Sequence, residues 1–293
     1  MGSIILCTAI PETFTSQDHR LRQLLFPHIK ANQLYESHIG IIKEYHDDKY
    51  WKFGLVMDEN GDWNNAEQLQ VQVMNMRMEL LGAEHPDTLR SMGNLANTYR
   101  NQGRWNEAEQ LEIQVMDMSQ KQLGAEHPDT LRSMGNLART YGVQERWNEA
   151  EQLQVQVMEM SKKLLGAEHP DTLIIMGNLA NTYGNQGRWN EAEQLQVQVI
   201  DMSKNLLGAE HPDTLRSMEN LATIYENQGR WNEAEQLEVQ VMDMRKKLLG
   251  AQHPDTLTSM QTLSHMYENQ ERWNEAEQLK LDVMNINKRI GTK

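Results

Sequence analysis

The stretch that decides the fold is residues 85–109, which reads His85-Pro-Asp-Thr-Leu-Arg-Ser-Met-Gly-Asn-Leu-Ala-Asn-Thr-Tyr-Arg-Asn-Gln-Gly-Arg-Trp-Asn-Glu-Ala-Glu109. Proline suits the first helical turn because its missing N–H would be unpaired there, and the next Asp complements the positive end of the helix dipole. In the following copy the apolar residues have the spacing of one helix face: Leu131, Met134, Leu137, Ala138 and Tyr141. The stretch therefore predicts a helix after His85 that ends near Gln102-Gly103.

A second helix is predicted to begin at Trp105 and to end at Gly124. Asn106 and Glu109 have the spacing of a capping box, in which side chains of the N-cap and N3 residues bind each other's backbone amides. A pair of antiparallel helices joined by short turns cannot bury its own apolar face. Each pair must therefore pack against its neighbours in a tandem array.

Both signatures recur with a period of 42 residues. The tryptophans are Trp63, Trp105, Trp147, Trp189, Trp231 and Trp273, and the His-Pro-Asp-Thr-Leu motif begins at His85, His127, His169, His211 and His253. A fixed period of this length is typical of helical repeat proteins. We therefore predict an all-α fold, a right-handed α-solenoid of about six helix pairs over residues 47–293, with the tryptophans packed at the helix junctions.

Charge and composition exclude several classes of protein. Among 293 residues, 28 Lys and Arg stand against 42 Asp and Glu, a net charge of −14, whereas a nucleic-acid-binding protein needs a basic face. A single cysteine cannot form an intramolecular disulfide, and a zinc site needs several ligands. The apolar run from Ile4 to Ile10 is too short to cross a bilayer. We expect no nucleic-acid or membrane partner, no metal or cofactor, and a cytoplasmic location.

The repeat resembles the tetratricopeptide pattern. The resemblance rests on Leu95-Ala96 and Tyr99 followed by Gly-Arg-Trp-Asn-Glu-Ala-Glu at residues 103–109. The connecting Leu-Gly-Ala-Glu-His-Pro-Asp-Thr-Leu is similar to the repeats of kinesin light chains. The segment at residues 235–244, Glu-Gln-Leu-Glu-Val-Gln-Val-Met-Asp-Met, resembles most closely the C-terminal arrays of fungal NOD-like receptors. The resemblance covers residues 47–290 and implies that the first helix of each pair lines a concave, partner-binding side.

The first 46 residues lie outside the repeats and are predicted to form an irregular helical N-terminal cap, residues 1–46. Two short helices are expected, at residues 19–34 and 36–45, with a break at Phe26-Pro27. Residues 24–28 are similar to the segment that precedes the repeats in the fungal receptors, but the chain has no glycine-rich phosphate-binding loop. Residues 50–62 fit a degenerate first helix, with Gly54 in the place of the alanine of later copies.

Differences between the copies concentrate in the columns of positions 90, 93, 97 and 100 of the first helix. The three- and four-residue spacing places these columns on one stripe, away from the packing face. Beside it runs a ladder of asparagines, whose amides can donate to and accept from an extended peptide backbone. The predicted peptide-binding groove consists of Arg90, Asn94, Asn97, Arg100, Arg132, Asn136, Arg139, Asn178, Asn181, Arg216, Asn220, Glu226, His265 and Glu268.

The charge of the stripe changes from basic in the early copies to acidic in the late copies. Early copies contribute Arg90, Arg100, Arg132 and Arg139, whereas late copies contribute Glu219, Glu226 and Glu268 against Arg216. This asymmetry favours a peptide ligand whose acidic end lies over the first repeats. A solvent-exposed face whose residues vary without functional constraint would give the same pattern.

Three functions are compatible with these features. The first is a non-enzymatic module that binds a peptide or protein in the groove, as in the recognition part of a fungal NOD-like receptor. The second is a kinesin-light-chain-like adaptor for acidic, aromatic-containing motifs, and the third is an enzyme that uses His265 and Glu268 within the groove. A clamp for chaperone C-terminal carboxylates is not expected, because Gly93 and Ile174 stand where lysines are needed.

Overall fold

The computed structural model describes residues 21–30 and 47–291, and every regular element in these ranges is an α-helix. Residues 21–30 form α1. The helices that follow are α2 Asp47–Glu59, α3 Trp63–Leu81, α4 Pro86–Asn101, α5 Trp105–Leu123, α6 Pro128–Val143, α7 Trp147–Leu165, α8 Pro170–Asn185, α9 Trp189–Leu207, α10 Pro212–Asn227, α11 Trp231–Leu249, α12 Pro254–Asn269 and α13 Trp273–Gly291. The predicted all-α solenoid of tandem helix pairs is confirmed.

The His-Pro-Asp motif starts the first helix of each pair. His85 is the N-cap of α4, and its Nδ1 accepts a hydrogen bond from the backbone amide of Asp87 at 3.2 Å. Thr88 donates its hydroxyl to the carbonyl of Gly82 at 2.8 Å, which ties the helix start to the end of α3. Because the histidine satisfies one of the free amides of the first turn, the motif is a structural device for starting a helix.

The second helices begin without the capping box that the sequence predicted. The N-cap of α5 is Arg104 rather than Asn106, and it makes no side-chain capping bond. Instead the Arg104 guanidinium lies 4.0 Å from the centre of the Tyr99 ring and forms a 2.8 Å ion pair with Glu67. The same stacking of arginine on tyrosine recurs in each later copy, at Arg146, Arg188, Arg230 and Arg272.

The turn inside each pair requires a left-handed backbone. Gly103 adopts a φ of 78°, and the same position is a glycine in two later copies. In the other two it is Glu145 or Glu271, each with a φ of 61°. A side chain with a Cβ atom is strained in this conformation, so these two turns carry a cost that the glycine turns avoid.

One compact unit extends from Met1 to Arg146. Its helices α2 to α6 pack consecutively, and α1 packs on α2 through the fully buried Ile29 and Phe53. Arg22 of α1 forms a 2.7 Å ion pair with Glu59. Helix α1 runs through Phe26-Pro27, so the break predicted there is wrong, whereas the remainder of the two predicted N-terminal helices lies outside the described residues.

The other compact unit extends from Trp147 to Lys293 and contains α7 to α13, which also pack consecutively. Its core clusters are apolar layers between neighbouring helices, such as Leu215, Met218 and Val241. The predicted packing role of the tryptophans is confirmed for Trp231, which contacts one of these clusters. It is wrong for Trp273, which is 61% exposed.

Candidate peptide-binding surface

In the second unit, helices α8, α9 and α10 enclose a pocket. Four of the residues predicted from the sequence come together in its lining: Asn178, Asn181, Arg216 and Asn220. Leu173 and Val199 supply a buried apolar floor, and Ile174, which is 43% exposed, adds an apolar rim. The pocket therefore combines free apolar surface with polar side chains from two first helices.

The polar groups of this pocket are available to a ligand. The side-chain amides of Asn178, Asn181 and Asn220 form no hydrogen bond with another described residue. Arg216 is held by a 2.9 Å ion pair with Asp213, which reduces its net charge but leaves its side chain 57% exposed. Free amides beside an apolar floor can pair with the backbone of an extended peptide and bury one of its side chains.

A second pocket lies between α12 and α13 and contains His265 and Glu268. Glu268 forms an ion pair with Lys280, and His265 Nδ1 lies 3.4 Å from the amide of Asn269. The two residues proposed for the enzyme alternative are thus engaged with other partners and do not hydrogen-bond to each other. This pairing weakens a catalytic role for them.

In the first unit, the outer arginines of the stripe are paired with aspartates of their own helices. Arg90 forms a 2.9 Å ion pair with Asp87 and lies 5.0 Å from the centre of a ring of Trp51. Arg132 pairs with Asp129 at 2.6 Å. The asparagines Asn94 and Asn136 stand on the same helices. Since both arginines are neutralised locally, the stripe is less basic than its sequence implies.

The sequence predicted that Arg100 would be an exposed residue of the stripe, but the structure buries it. Its side chain is only 8% exposed and forms a 2.8 Å ion pair with Glu112 of α5. It also donates to Thr140 and to Asn97, and Asn97 accepts a further hydrogen bond from Arg139 at 2.9 Å. Burial, together with the nearby Arg139, lowers the pKa of Arg100 to about 10, so the guanidinium stays charged at neutral pH.

The column that contains Glu112 was missed by sequence reasoning. Its members on the second helices are polar, yet Gln70, Glu112, Gln196 and Glu238 are at most 4% exposed. Gln70 accepts from Thr98 at 2.7 Å, and Gln196 donates to the carbonyl of Ser217 at 2.8 Å. The signal was present in the repeat, because polar residues at one fixed position among apolar neighbours indicate a shared buried network.

In the second unit, the corresponding buried residue is Glu238 of α11. Its Oε2 atom is buried and has no hydrogen-bond partner. Burial raises the pKa of Glu238 to about 8, and the neighbouring Glu219 and Glu226 add to the rise, whereas Arg245 opposes it. Arg245 is itself engaged by Glu219 at 2.5 Å and by Ser259 at 2.7 Å.

None of the helices in residues 21–30 and 47–291 has the length and apolarity needed to cross a bilayer. In the same ranges no three His, Cys, Asp or Glu side chains are arranged to hold a metal ion.

Helix pairs with a fixed period and a variable stripe on their first helices define a helical repeat protein. The tetratricopeptide repeat models match residues 53–87, 88–129, 130–171, 174–247 and 256–290. The chain belongs to the tetratricopeptide repeat family. No curated protein sequence matches it.

Solved structures show the same fold. A Podosopora anserina protein described as a putative kinesin light chain, with nearly identical TPR-like repeats, is 33% identical, with a TM-score of 0.63, covering 70% of this chain and 98% of that chain. BtubC (BKLC) from P. vanneervenii is 18% identical, with a TM-score of 0.61, over 83% of this chain and 95% of its own. A Rap protein complexed with Competence and Sporulation Factor is 11% identical, with a TM-score of 0.57, over 99% and 96%.

Proposed function

We propose that the chain is a non-enzymatic interaction module that binds an extended segment of a peptide or protein partner on the first helices of its repeats. The observation that carries the proposal is the pocket in which the free amides of Asn178, Asn181 and Asn220 surround an apolar floor. The corresponding stripe of the first unit, with Asn94 and Asn136, is proposed as a further contact surface.

Amides suit this task because each carries both a donor and an acceptor, as a peptide backbone does. Asn178 and Asn220 occupy the same position in successive repeats, so each can pair with a different peptide group of one extended segment. One such hydrogen bond contributes about 0.5–1.5 kcal/mol, and two together change affinity about tenfold or more. The apolar floor adds binding energy for one side chain of the ligand.

The test is selection from a random dodecapeptide library displayed on phage, followed by anisotropy measurements with the enriched peptides. The double variant Asn178→Ala/Asn220→Ala should bind them about tenfold more weakly. Asn205→Ala is the matched control, because Asn205 is an exposed residue of α9 outside the pocket lining. An absence of enriched peptides, or equal binding to the double variant and the control, would contradict the proposal.

A second candidate is an adaptor of the kinesin-light-chain kind, supported by the 33% identity to the Podosopora anserina protein. This function predicts that the peptides enriched from the library combine acidic and aromatic residues. An acidic peptide end over the first repeats is proposed for the ligand of either function. The pairing of Arg90 with Asp87 and of Arg132 with Asp129 reduces the positive charge available there.

A narrower form of the same proposal is that the chain is the recognition part of a fungal NOD-like receptor. It is supported by the similarity of residues 235–244 to the repeats of those receptors. A cytoplasmic location is proposed with it, because the single cysteine suits a reducing compartment. Fractionation of cells that produce the tagged chain checks this location. Recovery of the protein in the membrane or secreted fraction would contradict it.

A further inference from the structure

One pair of positions recurs twelve residues apart in every repeat, the earlier on the first helix and the later on the second. The successive pairs are Asp58 and Gln70, Arg100 and Glu112, Gly142 and Gln154, Gly184 and Gln196, Glu226 and Glu238, and Glu268 and Lys280. Two of these pairs carry opposite charges, and three contain a neutral residue. The pair of Glu226 and Glu238 consists of two acids.

Where the charges are opposite, the two residues contact each other. Arg100 donates to Glu112 at 2.8 Å, and Lys280 forms an ion pair with Glu268. The repeat geometry thus brings these two positions within reach of an ion pair, in one case between almost fully buried side chains. A cation beside a buried carboxylate compensates for the hydration that the carboxylate has lost.

The pair of Glu226 and Glu238 lacks this compensation. Glu238 is 2% exposed and forms no ion pair with a described residue. Its Oε2 atom has no hydrogen-bond partner, which is also true of Glu112 Oε2, so the missing ion pair is the difference between the two copies. The residue in the place of Arg100 is Glu226, which is half-buried, and the residue in the place of Thr140 is Met266. The nearby cation, Arg245, is bound through both of its terminal nitrogens to Glu219. Glu219 and Glu238 therefore share one arginine, and Glu226 forms no ion pair with a described residue.

We propose that Glu219, Glu226 and Glu238, named here the acidic site, bind the guanidinium of an arginine in the partner peptide, in the position that Arg100 holds in the first unit. The inference rests on the proposed function and identifies the chemistry of its ligand. A guanidinium is suited to this site because its planar array of donors can engage two carboxylates at once. Glu219 and Glu226 are partly exposed, so a guanidinium can reach them from solvent, and both act electrostatically on the buried Glu238.

The raised pKa of Glu238 agrees with a buried carboxyl that has no paired cation. Burial and the acidic neighbours Glu219 and Glu226 keep the pKa of this carboxyl near 8, with Arg245 as the opposing charge. At neutral pH the free protein therefore holds a proton on Glu238, and a bound guanidinium would displace it. Burial also raises the pKa of the neighbouring Glu226, and the nearby His265 opposes that rise.

The experiment uses the full chain and the peptides enriched from the dodecapeptide library. We expect the enriched peptides to share an arginine, and we expect replacement of that arginine by citrulline, its neutral isostere, to weaken binding about tenfold or more. The variant Glu226→Arg places a cation in the position of Arg100 and should cause a similar loss. Glu277→Arg, which makes the same charge change at an exposed position of α13, should leave affinity within about twofold.

The possible failures are distinguishable. Enriched peptides that depend on Asn178 and Asn220 but contain no basic residue, or that bind Glu226→Arg with unchanged affinity, overturn the acidic site and leave the proposed function standing. An equal loss in Glu226→Arg and Glu277→Arg also overturns it, because the effect would then arise from the overall charge. An absence of enriched peptides overturns both proposals. Circular dichroism of each variant establishes that it is folded.

Discussion

Arg100 and Glu112 in the first unit correspond, three repeats later, to Glu226 and Glu238 in the second. The two copies have the same helix pair, the same His-Pro-Asp start and the same arginine stacked on tyrosine. In the first copy the buried carboxylate of Glu112 is held by Arg100, whereas in the second Glu238 stands among acids. The same repeated scaffold can therefore hold a buried carboxylate with an internal ion pair, as at Arg100 and Glu112, or without one, as at Glu226 and Glu238.

The largest expected effect comes from removing the cation of the first copy. Arg100→Met leaves Glu112, which is 2% exposed, as an uncompensated buried charge. Loss of one partner of a buried ion pair costs about 3–5 kcal/mol. Urea unfolding followed by tryptophan fluorescence measures this loss. The double variant Arg100→Met/Glu112→Gln should recover most of it, and a loss below about 1 kcal/mol in the single variant would contradict the account.

The next effect is the pH dependence introduced by Glu238. Its pKa rises from 4.5 to about 8 on folding, so between these values the folded state binds more protons and stability falls as pH rises. Glu238→Gln removes the titrating group and should stabilise the protein by about 4 kcal/mol more at pH 9 than at pH 5. Urea unfolding at both pH values checks this. An equal effect at pH 5 and pH 9 would be inconsistent with a raised pKa.

The smallest expected effect concerns a strained turn that occurs in both units. Glu145→Gly in the first unit and Glu271→Gly in the second relieve a left-handed φ of 61° at the same turn. Each should raise the unfolding free energy by about 0.5–1 kcal/mol, since glycine removes the strain but gains entropy in the unfolded chain. Thermal unfolding of both variants provides the measurement. Unequal changes would show that the turns of the two units are not equivalent.

The helix pairs could be predicted because their determinants are local and repeated. Pro86 fixes a helix start and Gly103 a turn, and each signal recurs in later copies. The start of the second helix at Trp105 was predicted correctly, but its cap was misassigned, because Asn106 fits a capping box by spacing alone. The structure instead uses Arg104, whose stacking on Tyr99 and pairing with Glu67 depend on three different helix ends.

The candidate site was predicted only where its residues face outward. Asn178, Asn181 and Asn220 stand on the variable stripe, and the structure places them in one pocket. Glu112 and Glu238 were missed because charged residues are rarely buried, and the charged residues that surround them come from other helices. The ion pairs that neutralise Arg90 and Arg132 likewise depend on side-chain geometry that hydrophobic periodicity does not contain.

The residue in the position of Arg100 decides whether a repeat forms an ion pair with its own buried carboxylate. A double-mutant cycle of Glu226→Arg and Glu238→Gln, measured by urea unfolding at pH 8, tests it most directly. We expect Glu226→Arg to stabilise the protein by about 1–2 kcal/mol when Glu238 is present and to have little effect in the Glu238→Gln background. An identical change in both backgrounds would contradict the claim.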